Sequence, residues 1–180
     1  MSQHTPGPWT LFAETRTMRT TTQQAALIRH TLKQEYGWTS HQVSIKTDYF
    51  SMGSAIRIEI KDLTVPLPTV KAVAEQAERV RRDSFGEILS GGNTYVTVSY
   101  SSEVLDIFGR RYADAIQQAV NQLEPGSSGL EPVEGTRFLV GKPDAYRLTL
   151  WDRESAGMIQ EANTVDTLAK TIGTLMEGES

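Results

Sequence analysis

Apolar residues recur along this chain with two different periods, and the switches between them outline most of its elements. Over residues 22–36, Ala25, Ile28, Leu32 and Tyr36 fall on one stripe at helical spacing, with Arg29 and Lys33 on the opposite, solvated side. Thr21 and Gln24 have the spacing of a capping box, and Gly37 supplies the stop. Residues 43–49 then alternate, and residues 55–61 alternate strictly. Ile56, Ile58 and Ile60 point one way, Arg57, Glu59 and Lys61 the other. That is the pattern of a sheet with one buried and one wet face. Ser51-Met52-Gly53-Ser54 is the turn between the two strands, so the pair is a hairpin.

The helical period returns at residues 68–83, entered through Pro66 and Pro68 and carrying Val70, Val73, Ala74, Ala77 and Val80 inward. A third strand covers 94–100, with Val96, Val98 and Tyr100 on one face. A third helix covers 103–123, burying Leu105, Phe108, Tyr112, Ile116, Ala119 and Leu123. Strands near 137–140, 145–151 and 157–162 follow, and a last helix spans 165–176 with Leu168, Ala169, Ile172 and Leu175 inward. The order predicts an α+β fold: an antiparallel sheet with helices packed on one face, an αββαβα core and a small βββα C-terminal unit.

The length of 180 residues suits one domain, or one domain with a small appendage, and 38% hydrophobic residues suffice for a core. No apolar run approaches the roughly 18 residues that span a bilayer, so no membrane association is expected. The polar, proline-containing start lacks a cationic and apolar leader, which predicts a cytoplasmic protein. The net charge of −4 is unevenly spread: residues 1–123 hold 13 basic and 12 acidic side chains, residues 124–180 hold 5 and 10. The change coincides with Glu124-Pro125-Gly126-Ser127-Ser128-Gly129, a composition that favours a flexible connection. The expected organisation is an N-terminal segment over 1–20, a domain over 21–123, a linker over 124–132 and a small acidic unit over 133–180.

Candidate chemistry is sparse. The chain has no cysteine, which removes disulfides, thiolate metal sites and cysteine nucleophiles. His4, His30 and His41 lack a second ligand at metal-binding spacing, and Ser127 and Ser128 lack a nucleophile elbow. No phosphate-cradling glycine motif occurs. The carboxylate pairs Glu59 and Asp62, Asp83 and Glu87, and Asp152 and Glu154 read as surface charge. No catalytic residue, metal or cofactor is therefore expected. The most suggestive feature is basic: Arg79, Arg81 and Arg82 close the second helix, and Arg110 and Arg111 lie within the third. Guanidinium groups there suit phosphate or an acidic partner, with Tyr95, Tyr49 and Trp38 as stacking surfaces. In the last turn of a helix the same cations also complement the macrodipole.

Residues 21–100 resemble the large polyvalent protein-associated domains, specifically number twenty-nine of that series. The resemblance is carried by Ile28-Arg29 and Leu32-Lys33, by Tyr49-Phe50-Ser51-Met52-Gly53-Ser54-Ala55-Ile56, by Asp83-Ser84-Phe85-Gly86 and by Gly92-Asn93-Thr94-Tyr95-Val96. The opening His4-Thr5-Pro6-Gly7-Pro8-Trp9 is similar to the start of many small phage and prophage proteins. What the resemblance implies is context: phages and conjugative elements, whose accessory proteins help an incoming genome establish itself. It assigns no catalytic residue. The resulting expectation is a non-enzymatic accessory protein that binds a host or phage protein, with counter-defence as its purpose. A nucleic-acid-binding module using the five arginines is the alternative, and a homo-oligomer is left open.

Overall fold

The computed structural model describes residues 20–51, 53–78, 85, 87 and 93–178. Its contacts divide the chain into two units, 1–101 and 102–180. The composition placed the division at 124–132, behind the third helix. It falls ahead of that helix, which packs with the C-terminal elements, and the expected linker ends in a short strand. With this division the first unit holds 11 basic and 9 acidic residues, the second 7 and 13.

In the first unit, α1 (Thr21–Tyr36) is followed by β1 (Val43–Phe50), β2 (Gly53–Ile60), α2 (Leu67–Glu75) and β3 (Asn93–Tyr100). The capping box at the start of α1 sits one residue earlier than expected. The Thr20 hydroxyl accepts from the Gln23 backbone N–H at 3.3 Å, and Gln23 Oε1 accepts from the Thr20 N–H at 2.9 Å. Thr21 is unavailable for capping because it is buried, with its hydroxyl 2.5 Å from that of Ser54. Gly37 ends the helix in the left-handed region, donating to Lys33 O while the Trp38 N–H donates to Leu32 O. Tyr36, expected inward, is exposed and stacks on Trp38.

The sheet order is β1-β2-β3, and its pairing is mixed, not all antiparallel as expected. β1 and β2 form the antiparallel hairpin, with Val43 opposite Ile60 and Phe50 opposite Gly53, whereas β2 and β3 run parallel with Ile56 opposite Val96. The reason is the segment between them. Parallel neighbours need a crossover, commonly helical, and α2 lies on it. α2 is shorter than the expected 68–83: the N–H groups of Ala77 and Glu78 turn back three residues to Ala74 and Glu75. The rest of the expected helix lies outside the described residues. Ala25, Ile28 and Leu32 of α1, Ile56, Ile58 and Ile60 of β2, and Val70, Val73 and Ala74 of α2 are buried together with Val65. Each isoleucine buried in this way contributes roughly 1.5–3 kcal/mol relative to leaving it in water.

The second unit runs α3 (Ser102–Asn121), β4 (Leu130–Pro132), β5 (Phe138–Gly141), β6 (Leu148–Asp152), β7 (Gly157–Ala162) and α4 (Val165–Gly178). Its strands form an antiparallel meander in chain order. One face is closed by helices. Ile116, Ala119, Val120 and Leu123 from the α3 side and Leu168, Ala169 and Ile172 from α4 share a core with Phe138, Val140, Leu148, Leu150 and Ala162. α3 and α4 approach so closely at Gly173 that a Cβ there would stand inside the Phe108 side chain.

Candidate functional site

Among the described residues the helices of each unit occupy one face of its sheet, so what each strand places on the other face is set by alternation. In the first unit that face carries Ser44, Lys46, Asp48 and Phe50 from β1, Arg57 and Glu59 from β2, and Tyr95, Thr97 and Ser99 from β3. Most of these line a shallow depression of about 620 Å³. Arg57 Nε lies 2.7 Å from Asp48 Oδ2 across the hairpin. Among the described residues no carboxylate pairs with Lys46. Phe50 is 47% exposed and stacks on Tyr95, ring centroids 6.0 Å apart. Gly53 stands between their strands in register with both Phe50 and Asn93, and a side chain there would meet the Asn93 carbonyl at 2.5 Å.

A second depression of about 350 Å³ lies around the outer edge of β1. Its walls are Arg29, Leu32 and Lys33 of α1, Trp38, Thr39 and Ser40 of the connection, and Val43, Ser44 and Ile45 of β1. Arg29 Nη2 donates to the Ile45 carbonyl at 2.6 Å, which fixes the guanidinium at the strand edge. Trp38 is pinned by the helix-ending turn and by its stack on Tyr36, centroids 4.7 Å apart and planes 15° from parallel. Ser44 borders both depressions.

The uncovered face of the second sheet is of another kind. Register places Leu130 beside Gly141 and Thr149, and Pro132 beside Leu139 and Trp151. Between Leu150 and Trp151 the β6–β7 register slips, so that Met158 and Ile159 together stand against Trp151. Leu130, Met158 and Ile159 are 39%, 50% and 38% exposed. Thr149 is covered, and its hydroxyl accepts from the Trp151 indole N–H at 3.0 Å. Charge is confined to the border, where Glu161 lies beside Thr149 and 4.0 Å from Arg147.

No family model, curated protein or solved structure matches this chain. A functional reading therefore rests on these surfaces.

Of the residues singled out from sequence, Arg79, Arg81 and Arg82 lie outside the described residues. Arg110 is exposed on α3, and Arg111 is tied to Glu177 of α4. Tyr95 belongs to the first unit and the latter two arginines to the second. Tyr95 instead has Phe50 as its neighbour, a residue that enters the picture only through strand register. Lys46, Arg57 and the row from Leu130 to Ile159 are likewise products of register. Their sequence signal is no more than the polar half of an alternation or, in β6, an apolar run that reads as core.

His30 and His41 are exposed, and His4 lies outside the described residues. Among the described residues no group of three or more histidine or carboxylate side chains is placed to hold a metal, and no helix is long and apolar enough to cross a membrane. The shifted carboxylates are engaged in local structure. The Thr64 backbone N–H and hydroxyl, with Gln42, hold Asp62 below the usual carboxylate value against a small burial effect. Asp152 is held low chiefly by the Glu154 backbone N–H at 2.8 Å; burial opposes this, and Ser155 and Arg137 add to it. Asp106 is lowered by Lys170, which it contacts at 2.7 Å.

Proposed function

We propose that the protein acts by binding a partner protein, as a cytoplasmic, non-enzymatic accessory factor of a phage or related mobile element. Its purpose in this reading is counter-defence, the obstruction of a host complex of the CRISPR or restriction type. The observation that carries the binding reading is the apolar row on the uncovered face of the second sheet. Leu130, Pro132, Leu139, Trp151, Met158 and Ile159 cross all four strands, and charged groups stand at the border. Contiguous apolar surface with a polar rim is the anatomy of an interface, and Trp and Met are enriched at interface centres. The resemblance over residues 21–100 supplies the mobile-element context.

The test is affinity capture from lysate of the bacterial host with the wild-type chain and with Met158→Lys. The reading predicts a specific protein retained by the wild type and reduced at least tenfold by the substitution, with the melting temperature unchanged. Equal capture by both chains contradicts it. So does self-association of the purified wild type that Met158→Lys abolishes, since the face would then be occupied by a second copy.

A further inference from the structure

We propose that the first unit binds single-stranded nucleic acid along a track that wraps strand β1, from the Trp38 ring past Ser44 to the Phe50–Tyr95 pair. This goes beyond the protein-binding reading and uses a different surface. Single strands are held by aromatic rings that stack bases and by cations that follow the phosphates, and the first unit supplies both around β1. Trp38, backed by Tyr36, stands at one end, and Phe50, backed by Tyr95, at the other. Ser44 borders both depressions, and Phe50 and Tyr95 stand on the same face of the sheet as the second. Phe50 lies six residues beyond Ser44 on the strand, about 20 Å at about 3.4 Å per residue. That suits a short site of about four nucleotides.

The charges divide the track lengthwise. Arg29 and Lys33 line the outer depression, where the described lining residues include no carboxylate, and Lys46 continues the row onto the sheet. The Ile45 carbonyl takes one donor of Arg29, leaving the remaining donors of a positioned, planar fork for a phosphate. Asp48 and Glu59 also face the sheet depression. Asp48 pairs with Arg57, and carboxylates together with the hydroxyls of Ser44, Thr97 and Ser99 are acceptors and donors for base edges. Phosphates therefore follow the β1 edge, and bases lie over the sheet. Two plainer roles exist for the cations: Lys33 complements the C-terminal end of α1, and Lys46 discourages edge-to-edge pairing of β1. Neither role requires the rings, and neither predicts oligonucleotide binding.

The experiment is fluorescence anisotropy of the full chain with labelled dodecamers of deoxythymidine and of uridine. Unlabelled duplex DNA and polyglutamate serve as competitors. With three phosphates contacted, at about 0.7 per phosphate for single strands, affinity should fall about a hundredfold for a tenfold rise in salt. Lys46→Glu should weaken binding at least tenfold and flatten that slope. Phe50→Ala should weaken it about tenfold with the slope unchanged, because stacking releases no counterions. Trp38→Ala should do the same and Trp38→Phe should restore most of the loss, which separates stacking from damage to the turn. Preference for uridine over deoxythymidine, or the reverse, supports the track, because the two differ only in the 2′-hydroxyl and the C5-methyl that a base-reading surface would meet. Absence of binding at low salt overturns the proposal. Competition by duplex or polyglutamate equal to that of the single strand does so too. So does binding that survives Lys46→Glu and Phe50→Ala but is lost when Arg79, Arg81 and Arg82 are all replaced by alanine.

Discussion

The two sheets are alike on the side their helices cover and unlike on the side the helices leave open. Both covered faces are aliphatic: Ile56, Ile58 and Ile60 in the first, Val140, Leu148 and Leu150 in the second. The open face of the first sheet offers hydroxyls, two cations, two carboxylates and a ring pair, whereas that of the second offers a nearly uncharged apolar row. Folding demands the covered faces. It does not demand tryptophan and methionine facing water, nor two rings stacked over a glycine. Side chains on an open face are thus the part of each unit most free to answer to a partner, and the two open faces offer different chemistries.

The sharpest way to break this contrast is to compare neighbours on one strand. Leu150 and Trp151 are adjacent on β6 but face opposite ways, and only Leu150 is fully buried. Leu150→Ala should cost about 2–5 kcal/mol in urea denaturation, the range for truncating a buried leucine. Met158→Lys, beside Trp151, should stay within about 0.5 kcal/mol of the wild type. Comparable losses from both would make the second sheet's open face part of a core, and the contrast would fail.

A smaller effect probes the covered side. Gly173→Ala places a methyl where Phe108 already sits, so α3 and α4 must separate, at a cost of about 1–3 kcal/mol in the same assay. Unchanged stability would mean that the helix pair closes the second sheet less tightly than described.

The smallest effect is titratable. Asp152 sits below its ordinary value of 3.8, so its charged form stabilises the folded unit. That contribution is complete above the unfolded value and is lost as pH falls through the lower, folded one. Asp152→Asn should therefore lower the melting temperature near neutrality, and the gap should close as the pH drops below about 4. A gap that persists into acid would assign the loss to the hydrogen bonds of the 153–156 turn and not to charge.

Much of this fold can be read from the chain. The strict alternation of residues 55–61 and the stripes of α1 and α4 place those elements within a residue or two of where they stand. What escapes is whatever depends on pairing between distant segments. Spacing suits Thr20 and Thr21 equally as a cap; only the buried contact of Thr21 with Ser54 decides between them. The Gly and Ser residues after α3 read as a linker. Their backbone is tied down, with the Gly126 N–H donating to Lys142 O at 3.1 Å and the Ser127 N–H to Glu124 O at 3.1 Å. Phe50 and Tyr95 are 45 positions apart and become neighbours only because β3 joins β2 in parallel register, with Ala55 opposite Tyr95. The candidate surfaces are correspondingly less legible than the fold. Tyr95 is visible as an aromatic in a strand, but its stacking partner is not.

Whether the two open faces serve different kinds of ligand is decided by crossing two variants with two assays. Lys46→Glu and Met158→Lys are each carried through the oligonucleotide titration and the host-protein capture. Lys46→Glu should lose the oligonucleotide and keep the protein partner, while Met158→Lys should do the opposite. Either variant impairing both assays while folded, or neither impairing either, would contradict that difference.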